Sequence, residues 1–403
     1  MPSDNPARSV PSVLSVLSVL SVPAVPAVPA VLSEEGKQAL RICNACRYCE
    51  GFCAVFPALE RRFTFSDQDL GFLANLCHDC GECYYACQYA PPHEFGLNLP
   101  KTLAAVRKNS YERYAWPGAV GALFRRTGLA LALSVGVIPL LFVVLTLLLS
   151  GPEVMLSAHS VGEGSFYRVI PHEVMVGSFG VVGLYVLLAL AMGLRNFWKE
   201  SGERWGALFN ARVLGRASRE AFGLRYLGGG GPEGDGCAYP GDVPSHARRW
   251  FHHLTFYGFL LTFAATSVAA IYHNVLGVFA PYPFFSLPVL LGTAGGVGLL
   301  VGPVGLLWLK RVRNRELSDE GQSALDVTFL VLLLSISVTG LLLLALRETA
   351  AMGMLLALHL GLVLGLFVTM PYGKFVHGVY RFAALARNVV EKERSQESEA
   401  RSQ

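Results

Sequence analysis

Charge is scarce in this sequence. Only 15% of its 403 residues are Asp, Glu, Lys or Arg, against 53% hydrophobic, and a water-soluble chain of this size needs more charged surface than that. The mean hydropathy of +0.44 makes lipid the solvent for much of the chain. A net charge of only +4 gives no reason to expect nucleic acid as a partner. Cysteine is almost absent outside one stretch: eight of the nine lie within residues 43–87, and the ninth is Cys237. An odd number at tight spacing excludes a secreted disulfide framework and points to metal held by thiolates in a reducing compartment. Aromatics are missing from residues 9–33, the triplet repeat SVPSVLSVLSVLSVPAVPAVPAVLS, which cannot build a core. Such an apolar stretch mimics a signal peptide, but only Arg8 flanks it and the repeat runs long. Residues 1–33 are therefore expected to be a disordered leader. Missing too is any evident pairing of nucleophile and base.

Long apolar runs are plentiful. Six segments, roughly 128–150, 174–194, 251–273, 287–309, 326–346 and 352–372, each have about the 20 residues a bilayer-spanning helix needs. Helices buried in a soluble bundle keep a polar face, and LLFVVLTLLLS has almost none. The fourth run, rich in Gly and Pro, is expected to be kinked, close helix packing being the other use of such glycines. The stretches 107–126, 195–250, 310–325 and 373–403 hold 24 Lys and Arg residues, whereas the three intervening loops hold Arg168 and Arg347 alone. The positive-inside rule then puts both termini and the cysteine-rich module in the cytoplasm. The expected fold is mainly α. A small two-[4Fe–4S] ferredoxin-like helical module over 34–127 precedes a six-helix transmembrane bundle over 128–382. A cytoplasmic loop spans 195–250 and a polar tail 383–403. The glycine-rich part of that loop, residues 226–245 with Cys237, reads as a flexible linker.

The cysteines form two copies of C-x2-C-x2-C-x3-C: Cys43, Cys46, Cys49, Cys53, then Cys77, Cys80, Cys83, Cys87. This is the spacing of two-cluster bacterial ferredoxins, in which the fourth cysteine of each run serves the other cluster. Cys43, Cys46, Cys49 and Cys87 would hold one [4Fe–4S] cluster, and Cys77, Cys80, Cys83 and Cys53 the second. Proline follows the fourth cysteine four residues on, at Pro57 and Pro91, rather than directly. Zinc, the alternative, prefers four ligands in two C-x2-C pairs.

Ionisable groups in membrane spans are costly and need a reason. His252 and His273 lie at the two ends of the third run, His359 in the sixth, and His377 beyond Pro371. On one continuous helix His359 and His377 would share a face about 27 Å apart. His252 and His273 would also lie within about 60° of one face. In antiparallel helices His252 would meet His377 at the inner depth and His273 would meet His359 at the outer, each a candidate haem b pair. His159 and His172 read as solvated loop residues, and His93 as a structural hydrogen-bonding residue near the second motif.

With these residues in view, ICNACRYCEGFCAVFP, ANLCHDCGECYYACQYAPPHEFGLNLP and YAWP resemble the citrate/tricarballylate utilization protein B family (TcuB, also called CitB) over residues of about 36–390. The membrane half resembles the haem b fold of nitrate reductase gamma subunits. Arg249-x-x-His252-x-x-x-Phe256-x-Gly258 is similar to its inner-helix motif and Lys374-Phe-Val-His377 to a later one, while its outer ligand would fall near Thr262. The resemblance implies an FAD-dependent dehydrogenase as partner, oxidising tricarballylate or a related tricarboxylate. Reduced flavin would feed the clusters, haem b and membrane quinone in a bacterial plasma membrane. The competing readings are a quinol-oxidising subunit feeding a cytoplasmic reductase and a membrane-anchored redox or iron sensor.

Overall fold

The computed structural model describes residues 28–124, 129–130, 132–159, 164–229 and 236–402. Most of the expected leader, residues 1–27, lies outside them. Its last residues do not: the first helix, α1 (Ala30–Cys46), begins inside the repeat. There Ser33 is buried and its hydroxyl donates to Asp67 at 2.5 Å. Two further helices, α2 (Val55–Glu60) and α3 (Asp67–Leu76), pack against α1 around Leu40, Leu59, Leu70 and Leu73. A capping box between Ser66 and Asp69 starts α3, satisfying amides that the first turn leaves unpaired. Helix α4 (Leu99–Tyr114) closes the module; Asn98 caps it and Pro100 stands in its first turn, where a missing N–H costs nothing.

Among the described residues, six helices are long and apolar enough to cross a membrane. The first is α5 (Ile138–Ser150), entered through the π-helical turn Ala132–Val137. Then come α6 (His172–Glu200), α8 (Ala247–Asn274), α9 (Leu287–Val312), α10 (Glu320–Leu346) and α11 (Met352–Thr369). Leu148 is 77% and Leu184 71% exposed. Large apolar side chains turned outward in this way suit hydrocarbon, where only self-satisfied backbones are tolerated. Between α6 and α8 lie α7 (Ala211–Phe222) and a two-residue hairpin, β1 (Cys237–Ala238) against β2 (Pro244–Ser245).

The fourth span uses its glycines for packing. Helix α9 runs unbroken through Pro303. A Cβ on Gly295 would lie 2.8 Å from Gly258 O, and one on Gly298 2.9 Å from Leu254 O. Helices α8 and α9 thus approach backbone to backbone, as small residues allow in membranes.

The expected polar tail is in fact helical: α12 (Val376–Ser402) begins before it and runs through residue 402. Ala383, Ala384, Leu385, Ala386 and Val389 are buried, sharing a core with Phe72 and Leu73 of α3 and Phe197 and Trp198 of α6. Arg62 pairs with Asp69 at 2.7 Å, and Arg387 with Glu391 at 2.9 Å and Asp69 at 3.5 Å. So α12 ties the cysteine module to the membrane helices by both apolar burial and charge. Gly295→Val should force α8 from α9, at a cost of about 1–3 kcal/mol. It is read as a lower thermal unfolding midpoint of the detergent-solubilised protein; an unchanged midpoint would contradict the backbone contact.

Candidate metal centre

The eight clustered cysteines converge into two bays. Cys43 and Cys46 end α1, and Arg47, in the left-handed conformation (φ 58°), turns the chain toward Cys49. Cys87, from the second motif, completes a cavity lined by Cys43, Cys46, Cys49 and Cys87. The other bay is lined by Cys77, Cys80, Cys83 and Cys53, the last from the first motif. Cys77 caps the end of α3, and Gly81 (φ 88°) supplies the turn before Cys83. Each bay thus takes at least one of the cysteines in its lining from the other motif. Phe56, Cys83 and Leu99 line both bays and so form a common wall.

None of these cysteines is paired in a disulfide. Burial, reinforced by the neighbouring thiols, pushes Cys43 and Cys49 up to about 12, and burial raises Cys53 and Cys83 in the same direction. Thiolates cannot gather here at neutral pH unless a cationic centre offsets their repulsion. Four sulfurs per bay fit one [4Fe–4S] cubane each.

The second bay is locked to the membrane helices. Asp79, left-handed at φ 58°, accepts two bonds from Arg313 at 2.9 and 3.0 Å. Its carbonyl accepts from Arg248 at 2.7 Å, and the Cys77 carbonyl accepts from Arg107 at 2.7 Å. The Tyr239 ring covers both Arg248 and Arg313, at 4.5 and 5.0 Å. Burial by itself would raise the Asp79 carboxyl, but Arg313 prevails and holds it below the usual carboxylate range. Three guanidiniums from separate elements thus grip one cysteine loop.

Cys237 is not in a slack linker. It is 1% exposed on β1, with Sγ 3.7 Å from His78 Nε2. No motif spacing signals it; only the docking of the hairpin against the second bay brings it there.

The histidines divide differently from expectation. His252 of α8 and His377 of α12 meet, ring centroids 6.2 Å apart. The Nδ1 of His377 lies 2.8 Å from Lys374 O, and since a carbonyl only accepts, Nδ1 carries the proton and Nε2 keeps a free lone pair. Burial pushes His377 down to about 3, leaving the neutral imidazole that metals bind. His252 Nδ1 is shielded and has no partner among the described residues. The pair therefore fits axial ligation of a haem.

His273 and His359 do not pair. His273 stacks on His172 with centroids 3.6 Å apart and meets the edge of Tyr167, so His172 is not the solvated loop residue expected. His359 Nδ1 lies 3.1 Å from Thr339 Oγ1 of α10. The expectation failed because α8 packs against α9, where their glycines meet, rather than against α11, so His273 and His359 stand on helices that are not close neighbours.

A ferredoxin-like cysteine module set on six membrane-length helices defines a membrane protein of the iron–sulfur class. The chain belongs to the citrate utilization protein B family. The model for citrate utilization protein B matches residues 123–399, and that for the citrate utilization protein B Fer4-like domain matches residues 36–113. The chain is 48% identical to Citrate utilization protein B of Escherichia coli over 367 residues, 90% of this chain and 94% of that protein. No solved structure matches it.

Arg313→Met leaves the buried Asp79 carboxylate with only the longer contact to Arg107, at 3.9 Å, a change that costs about 3 kcal/mol. Denaturant unfolding should show a loss of that size, and unchanged stability would remove the clamp. The sign with pH follows from the depressed carboxyl. The contribution is complete above the unfolded value of about 3.9. It is lost as pH falls through the lower folded value, and this acid-sensitive component should be missing from the variant.

Proposed function

We propose that this chain is the electron-transfer subunit of a membrane oxidoreductase in citrate or tricarboxylate utilization. It takes electrons from the reduced flavin of an FAD-dependent dehydrogenase, which oxidises tricarballylate or a related tricarboxylate, and delivers them to quinone in a bacterial plasma membrane. The observation that carries this reading is the order of the sites: two four-cysteine bays with a common wall, the second held through Asp79 by Arg248, which stands one helical turn before His252 in α8. Tyr48, at the first bay, is 69% exposed, which suits contact with a partner. The relative's name, Citrate utilization protein B, supports the pathway.

In this reading Cys43, Cys46, Cys49 and Cys87 hold one [4Fe–4S] cluster and Cys77, Cys80, Cys83 and Cys53 the other, while His252 and His377 hold one haem b. When bound, these groups supply one-electron carriers. The chain's own residues set their surroundings. Arg381 is near enough to act electrostatically on Cys53 and Cys77 of the second bay and on His252 and His377. It has no carboxylate partner among the described residues, and its charge favours anionic groups near it. The excess of Lys and Arg in the stretches on one side of the spans supports a cytoplasmic cysteine module.

Cys49→Ser should stop reoxidation of the dehydrogenase flavin in membranes containing both proteins; transfer at the wild-type rate would end this reading. Purified full-length protein should show a bis-histidine b-type absorption spectrum that His377→Ala abolishes. A spectrum retained by that variant would remove the histidine pair from the path.

A further inference from the structure

Cys237 and His78 are the buried reactive groups that the two cysteine bays leave unused. Cys237 Sγ, Cys80 Sγ and a ring nitrogen of His78 all lie within 4.8 Å of one another, and all three residues are buried. The contact is built from the backbone up. Cys237 pairs with Ser245 across the hairpin, the next residue's carbonyl, Ala238 O, stands 3.4 Å from where a Cβ on Gly81 would sit, and Tyr239 rides on the two arginines that hold Asp79. The hairpin is thus keyed to the Cys77–Cys80 loop on three successive residues. The first bay has a different environment: the side-chain donor at Cys46 is the exposed amide of Gln88, 3.6 Å away.

A thiolate bound to iron accepts hydrogen bonds, and each one drains negative charge from the centre and eases its reduction. Burial acts the other way, because an added electron is harder to accommodate away from water. The second bay is the more enclosed of the two, so without donors its centre would be the poorer electron acceptor. Cys237 and His78 offset that. The Tyr226 carbonyl, 3.5 Å from Cys237 Sγ, and the Nε2 atom of His78, 3.7 Å away, are the competing acceptors for the thiol proton.

We propose that Cys237 and His78 are positioning residues that donate to the Cys80 thiolate and raise the reduction potential of the centre in the second bay, keeping it able to accept an electron from the first. This rests on the two-cluster reading above. It adds no ligand and no substrate: one electron leaves the first centre and one enters the second.

The test is a potentiometric titration, followed by electron paramagnetic resonance, of the full-length protein and of Cys237→Ala, Cys237→Ser and His78→Ala, with iron and acid-labile sulfide measured on each. In Cys237→Ala the iron content should match wild type. At the ambient potential that half-reduces the second centre in wild type, its reduced-to-oxidised ratio should fall about three- to tenfold; tenfold is ~59 mV for a one-electron couple. The first centre should not move. His78→Ala should shift the second centre in the same direction, and Cys237→Ser, which keeps a donor, should shift it less than Cys237→Ala. Normal clusters with an unmoved potential in Cys237→Ala would overturn the proposal alone. So would loss of half the iron from both Cys237 variants, because Cys237 would then be a ligand. Wild-type protein with no [4Fe–4S] signal would overturn the two-cluster reading and this inference with it.

Discussion

The bidentate pair between Asp79 and Arg313 is the contact on which the rest of the arrangement hangs. It joins a cysteine loop of the N-terminal module to the end of α9, and it does so where water is excluded. A carboxylate in that position is tolerable only because guanidiniums surround it. Arg248 and Arg107 fix the neighbouring carbonyls, so the loop has no freedom to swing. The second bay is in consequence anchored to the membrane helices, while the first bay faces outward with Tyr48 exposed. The two bays therefore differ in setting, one tied to the apolar helices and the other open to the surface.

Helix α12 gives the same junction its breadth. Its alanine-rich first half fits flat against α3 and α6, and small side chains permit that close approach. The Arg62, Asp69, Arg387 and Glu391 network lies alongside. The break before α12 also brings His377 level with His252. A continuous helix would have carried His377 along the axis of α11 instead of across the inner end of the bundle. One turn of irregular chain at 370–375 therefore decides which histidines meet.

The legible parts of the chain were those encoded by local pattern. Six apolar runs marked six membrane-length helices because a span must satisfy its own backbone and clothe itself in hydrocarbon side chains. The repeated cysteine spacing marked the module, and the family resemblance to the citrate utilization proteins holds over most of the chain. The glycines of α9 were legible as unusual but not as to purpose, since a kink and a close contact leave the same composition. His273 and His359 misled because helical phase says which residues share a face, not which helices pack together.

By itself the sequence determined the class of protein: apolar length, basic loops and eight thiols at ligand spacing are properties of the chain that no folding detail can undo. Tertiary structure alone decided the partnerships. Cys237 beside Cys80, His172 on His273, Arg313 on Asp79 and His377 facing His252 each join residues far apart in the chain or separated by a helix break. Such contacts depend on the angle at which helices cross and on where loops dock, and those are settled by the summed packing of the whole core, which no local spacing records.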